Sequence, residues 1–291
     1  MKTHWNFLRS MSIAVLMLVG LSAMALEDLG KKLAQTPEFA APTSVQHKKV
    51  EEGLEVYRFK YDNLFNSKQD FSIAAVDIPS GDWECLLSIA PEEKLQTVPV
   101  QRSANRAAVA VNAGFFTWGP PPAPVWLFQK DGKQLSPVAN GLAGGGIIGI
   151  LPDNTIEIST SATADLSRYR DAVESRPILL QNGQRVPLPN DTDLISPRHP
   201  RTVIGKTADN TLLLITVDGR SAIAKGMNGN ELVILCEALG MTDALNLDGG
   251  GSTTMAVEAK PFGTEVVNTV SNKNNTLRAV KDAFCVRKKT E

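Results

Sequence analysis

Leu212-Leu213-Leu214-Ile215-Thr216-Val217, followed by Asp218-Gly219-Arg220, decides the fold. A run of this length, apolar on both faces of an extended chain, reads as a strand in the middle of a sheet with material packed on either side. Asp218-Gly219 then ends it, since Asp-Gly is a common turn pair.

Working outward, short β-rich apolar segments recur at 54–61, 71–78, 83–89 and 107–112, separated by turn residues such as Pro79-Ser80-Gly81-Asp82. Residues 127–135 read as a hairpin about Asp131-Gly132, and further strands are expected at 147–151, 155–159, 177–180, 202–206 and 283–286. One helix stands out at 229–239. Asn228 is a suitable N-cap, Glu231 completes a capping box, and Gly240 can stop the helix. Its run Leu232-Val233-Ile234-Leu235-Cys236 is apolar nearly all round, which predicts burial between layers. The fold class is α+β: a mainly mixed or antiparallel β-sheet with a few helices packed on it, one of them buried near 229–239. A short helix within 27–35 is allowed by the sequence, and no internal repeat is evident.

Composition narrows the function classes. The 291 residues carry 30 Lys+Arg against 31 Asp+Glu, a balance that points to no nucleic-acid partner. With 43% hydrophobic and 21% charged residues, most of the chain is expected to be folded. Residues 1–25 have basic Lys2 and Arg9, an apolar run, and then Ala23-Met24-Ala25, which is the pattern of a signal peptide. No later window approaches the roughly 18–20 apolar residues of a membrane helix. The expectation is therefore an exported protein, periplasmic or secreted, without a transmembrane segment in its mature chain. Cys85, Cys236 and Cys285 have no metal-ligand spacing; Cys85 and Cys285 lie in strand-like runs and could form a disulfide or remain buried thiols. After processing only His47 and His199 remain, too few for a His-rich zinc site.

Four clusters can carry chemistry. In 244–255, Asn246 and Asp248 fall on one face of an extended chain, and Gly249, Gly250 and Gly251 permit a close backbone approach before Ser252. One or two glycines would serve a plain turn; three after a carboxylate favour a ligand site. Asp218-Gly219-Arg220 is either a turn or a site at the end of the central strand. Residues 196–202 set Arg198, His199 and Arg201 in a proline-stiffened loop suited to phosphate or carboxylate recognition. Asn112-Ala113-Gly114-Phe115-Phe116 places a polar residue at a strand end beside two rings that point opposite ways if extended, one toward core and one toward ligand. The glycine run 141–146 lacks a closing Lys-Ser or Lys-Thr and precedes a strand, which argues against a nucleotide loop.

The order and spacing of 112–116, 200–205, 217–220, the helix start at Glu231-Leu232 and Leu245-Asn246-Leu247-Asp248-Gly249-Gly250-Gly251-Ser252 resemble the phosphodiester glycosidase family. Thr276-Leu277-Arg278-Ala279-Val280 is similar to that family's closing segment. The resemblance implies one such domain over 46–288, after a lead-in at 26–45, acting on a glycan or glycosyl-phosphate substrate. The implied reaction is hydrolysis of a sugar-1-phosphodiester at the anomeric carbon, releasing free sugar such as N-acetylglucosamine from an envelope or exopolysaccharide glycan. On that reading Asp248 is general base or nucleophile and Asp218 its partner carboxylate. Arg201 and Arg220 form a phosphate clamp, and the Gly249, Gly250 and Gly251 amides add donors. Asn112 and Asn246 orient sugar hydroxyls or water, Ser252 adds a hydrogen bond, His199 is either a site member or a solvated loop residue, and Glu231 caps its helix. No cofactor is required, although the same aspartates could hold a divalent cation and cut the P–O bond instead. A noncatalytic glycan-binding envelope protein is the other reading.

Overall fold

The computed structural model describes residues 29–190, 194–260 and 263–290. The signal-peptide expectation lies outside them. Every residue of Leu212–Val217 is buried, and the strand sits inside an eight-stranded sheet. In spatial order that sheet runs Ser44–Glu51, Leu54–Leu64, Ser67–Val76, Leu212–Val217, Arg201–Thr207, Met241–Asn246, Ile178–Gln181 and Gln184–Arg185. All its pairings are antiparallel. The two faces of the central strand feed different cores. Leu212 and Leu214 join Ile204, Leu245 and Val76 on one side, while Leu213, Ile215 and Val217 join Leu232, Leu235 and Cys236 of the Gly229–Ala238 helix on the other. That helix has the capping box expected of Asn228 and Glu231. Gly205 lets two of these strands meet closely: a Cβ there would lie 2.0 Å from the Asp243 carbonyl oxygen.

Two five-stranded antiparallel sheets cover the first core. One runs Thr264–Val266, Met255–Glu258, Val109–Asn112, Asp282–Lys288, Trp83–Ile89, and the other runs Lys133–Ser136, Phe128–Lys130, Asp171–Ser175, Gly146–Ile150, Ile156–Thr160. Phe284, Val109, Val111, Ile148, Ile150 and Val173 point from them toward Leu212 and Leu214. The expected hairpin joins Phe128–Lys130 to Lys133–Ser136, with both Asp131 and Gly132 at positive φ, as a type I′ turn demands. A strand, not a helix, follows Gly141–Gly146, as read from the sequence.

The cysteine question resolves to free thiols. Cys85 is opposite Val286 and Cys285 opposite Leu86, so the two sulfurs project from opposite faces of one sheet and into separate cores. Among the described residues no helix is long and apolar enough to cross a membrane.

Candidate active site

Strand direction gathers the polar residues. Arg201 begins its strand opposite Val217, and Val203 is opposite Asn246. The start of Arg201–Thr207 and the ends of its two antiparallel neighbours therefore meet at one edge, which delivers Arg201, Asp218 and Asp248 there. The adjoining sheet contributes Asn112, which pairs with Ala283 beside Asp282.

Asp248 lines a hollow of about 440 Å³ together with Phe115, His199, Arg201, Arg220, Arg278 and the three glycines. It is the one carboxylate among the described lining residues, set against three guanidinium groups. Its carboxylate accepts from the Gly249 N–H at 2.8 Å and from Ser252. Burial nevertheless pushes it up to about 6, against the opposing pull of Ser252, Gly249, Arg278 and Arg220. Arg201 is buried and spent on the carbonyls of Met227, Leu194 and Pro197 at 2.9, 2.6 and 2.9 Å. No carboxylate among the described residues pairs with it. Burial, reinforced by nearby Arg220, brings it down to about 10. A buried cation held only by carbonyl dipoles is prepared for an anion. The Arg220 guanidinium lies 3.3 to 3.4 Å from His199 Nδ1, and as donor to that nitrogen it fixes the imidazole with its proton elsewhere. His199 thus lines the hollow rather than standing out in a solvated loop.

Several expected roles change. Asp218 does not share Asp248's hollow. It lines an adjoining one of about 300 Å³, with Arg220 as the common wall. There Asp218 Oδ2 accepts from Arg58 Nη2 at 3.0 Å and from the Thr269 N–H at 2.9 Å, while Arg58 also grips Asp70 bidentately at 2.8 Å. Burial first, and Asp70 second, push Asp218 up to about 7. The carboxylate facing Asp248 electrostatically is instead Asp282, which the sequence reading missed. Fully buried, Asp282 accepts from the Gly114 N–H at 2.5 Å with Oδ1, while its Oδ2 has no partner. Burial, with Asp248 adding repulsion, raises it to about 7.

Asn112 and Asn246 do not present their amides to a ligand. Asn112 Nδ2 donates to the Asp248 carbonyl at 2.6 Å, and its Oδ1 accepts from Thr202 Oγ1 and the Thr254 N–H at 2.8 and 3.1 Å. Asn246 Nδ2 donates to the carbonyls of Arg176 and Leu247. Both side chains are buried at their strand ends: Asn112 is held by backbone groups and Thr202, and Asn246 is held through Nδ2, with its Oδ1 left without a partner. The glycine amides also differ from expectation. Those of Gly249 and Gly250 are already engaged by Asp248 Oδ1 and the Pro200 carbonyl, leaving the Gly251 N–H as the donor still open. Close approach explains why glycine is needed: a Cβ on Gly249 would stand 2.6 Å from Pro200 O, and one on Gly251 2.2 Å from Asn272 Oδ1. Arg198 is spent on Glu231, with hydrogen bonds of 2.5 to 3.0 Å, and Glu231 caps its helix as read. Phe115 lines the hollow and Phe116 packs on the outer core, the divided orientation expected of them.

Arg278 is the second omission. Its Nη1 lies 3.4 Å from Ser252 Oγ, and its guanidinium sits 5.4 Å from the centroid of the Trp118 ring. Its place just before the last strand was visible in the sequence; its reach into the hollow was not. Among the described residues no group of three or more His, Cys, Asp or Glu side chains converges as a metal site would require.

A model of the phosphodiester glycosidase family matches residues 105–287. An 89-residue stretch, 31% of this chain, is 39% identical to the SPbeta prophage-derived uncharacterized protein YomE of Bacillus subtilis (strain 168), and covers only 13% of that protein. Among solved structures, a hypothetical protein from Synechocystis superposes with a TM-score of 0.67 at 14% identity, over 85% of this chain and 64% of that one. The zebrafish N-acetylglucosamine-1-phosphodiester alpha-N-acetylglucosaminidase catalytic domain, auto-inhibited by its pro-peptide, gives 0.64 at 18% identity, over 86% and 89%. At these identities the structural likeness establishes a shared fold, with mainly antiparallel sheets and few helices.

Proposed function

The chain belongs to the phosphodiester glycosidase family, and from that membership we propose that it hydrolyses a sugar-1-phosphodiester at the anomeric carbon, releasing free sugar. The observation that carries the reading is Asp248, a single half-buried carboxylate facing Arg201, Arg220 and Arg278 in one hollow. Three cations against one anion suit a phosphodiester, whose negative charge the guanidiniums hold while its sugar end meets Asp248.

The chemistry follows from the leaving group. Breaking the bond between C1 and the bridging oxygen leaves a phosphate monoester, which departs as a weak base and needs little protonation. The demand falls on stabilising the oxocarbenium-like transition state and supplying an oxygen nucleophile. Asp248 does this as base toward water or as nucleophile, in either case as the ionised carboxylate, and Arg201 and Arg220 with the Gly251 N–H hold the departing phosphate. Asn112 and Asn246 are positioning residues that fix the backbone on either side of Asp248, and Ser252 steadies its carboxylate. The reaction needs no cofactor. The signal-like residues 1–25 favour a substrate outside the cytoplasm, an envelope or exopolysaccharide glycan, with N-acetylglucosamine as the first sugar to test.

Asp248→Asn tests the assignment. The amide oxygen can still accept from the Gly249 N–H, so the fold is retained, while kcat on an α-N-acetylglucosamine-1-phosphodiester falls by about 10³. Affinity for the product phosphate ester changes far less. Unaltered turnover removes Asp248 from the mechanism, and a wild type that binds the ester without cleaving it makes the protein a glycan binder.

A further inference from the structure

Trp118 is two-thirds exposed (66%), the most exposed large apolar side chain among the described residues, yet it is held in place. Its loop is latched by Thr117 N–H to the Ala123 carbonyl at 2.8 Å, Ala123 N–H to Thr117 Oγ1 at 3.1 Å, and Val125 N–H to the Phe115 carbonyl at 2.8 Å. Pro120, Pro121, Pro122 and Pro124 stiffen the same segment by fixing φ. The Phe116 ring abuts the indole at 5.1 Å between centroids, and the Arg278 guanidinium stands over it at 5.4 Å. An indole ordered this way without being buried gives up hydrophobic stabilisation that Phe115 and Phe116 obtain by packing.

Arg278 connects the indole to the chemistry, because the same guanidinium lines the hollow of Asp248 and reaches Ser252. A phosphate held by Arg278 with its sugar end at Asp248 would turn the group on its other ester oxygen to the side of that guanidinium where Trp118 stands. We propose that Trp118 is the stacking platform for a sugar ring on the aglycone side of the phosphate, and so sets which phosphodiesters the enzyme prefers. The π face is negative, and the C–H face of a pyranose is its natural complement. The inference rests on the proposed hydrolysis for its substrate, although not for its binding test.

Two esters with the same N-acetylglucosamine donor are compared, one carrying a methyl aglycone and one a hexose linked through O6. Wild type prefers the hexosyl ester in kcat/KM; Trp118→Ala lowers that preference ratio about ten-fold, chiefly through KM, and Trp118→Phe retains most of it. An unchanged ratio, or an equal loss on both esters, overturns the proposal. In a second arm, ligand-observed NMR measures binding of hexose 6-phosphate and methyl phosphate. Wild type holds the hexose ester more tightly and Trp118→Ala abolishes the difference; equal binding by wild type overturns the proposal. A wild type that cleaves neither ester refutes the hydrolase reading alone, and the binding arm still decides the role of Trp118.

Discussion

Replacing Asp282 by Asn should flatten the pH dependence of stability, and the size of the effect follows from where this carboxyl lies. Asp282 is wholly buried, with Oδ2 lacking any partner, and burial together with the charge of Asp248 lifts it from 3.8 to about 7. The folded protein thus keeps a proton that the unfolded chain releases near pH 4. Stability from this group is fully present below pH 4 and is lost as pH rises toward 7. At about 1.4 kcal/mol per pH unit the whole contribution is on the order of 4 kcal/mol, of which roughly 2–3 kcal/mol is lost between pH 5 and 7. For a chain of this size that corresponds to about 5–10 °C in Tm. Asparagine keeps an oxygen for the Gly114 N–H and cannot ionise. Thermal melts of wild type and Asp282→Asn from pH 5 to 8 should both slope downward, because Asp218 and Asp248 are raised too. The variant's slope should be smaller by that amount. Identical slopes would refute the claim that Asp282 is buried as a neutral acid.

Asn112→Leu removes three buried hydrogen bonds, to the Asp248 carbonyl, Thr202 and the Thr254 N–H, and leaves their partners unsatisfied; urea unfolding should show a loss of about 3–5 kcal/mol. A loss under about 1 kcal/mol would mean that Asn112 is not holding the strand ends together. Cys85, Cys236 and Cys285 should all resist a thiol reagent in native buffer and all three react in denaturant without reductant. A single reactive thiol under those conditions would establish a disulfide and contradict the opposite-face placement of Cys85 and Cys285.

The fold was legible wherever burial leaves a compositional trace. Leu212–Val217 and Trp83–Ile89 have the ends the sequence suggests, and the capped helix ends one residue earlier than expected. What escaped is structure that buries polar groups. Asp171–Ser175 is a fully buried strand carrying two acids: the Asp171 carboxylate accepts from the Asp131 N–H, and that of Glu174 from the Ala139 N–H. From sequence alone such acids suggest surface. The Val98–Ala104 helix has Pro99 in its first turn and buries Gln101 and Arg102 while Val100 is exposed, so no apolar period marks it. The site follows the same logic. Asp248, Arg201 and Arg220 sit at turns and strand ends where spacing brings them together, and they line one hollow. Asp218 also sits at a strand end, but its partner Arg58 comes from a strand 160 residues away, a pairing no local spacing encodes. Asp282 hides between Lys281 and an apolar run, and only the sheet register brings it beside Asn112 and the Asp248 loop.

The central claim is that water adds at the sugar and the phosphate keeps its bridging oxygen. The most direct measurement is the position of heavy oxygen after hydrolysis of an α-N-acetylglucosamine-1-phosphodiester in labelled water, with and without chelator. Label at C1 of free N-acetylglucosamine, undiminished by chelator and absent with Asp248→Asn, is the result predicted. Label in the phosphate beside released sugar phosphate would contradict the account and make the protein a phosphodiesterase.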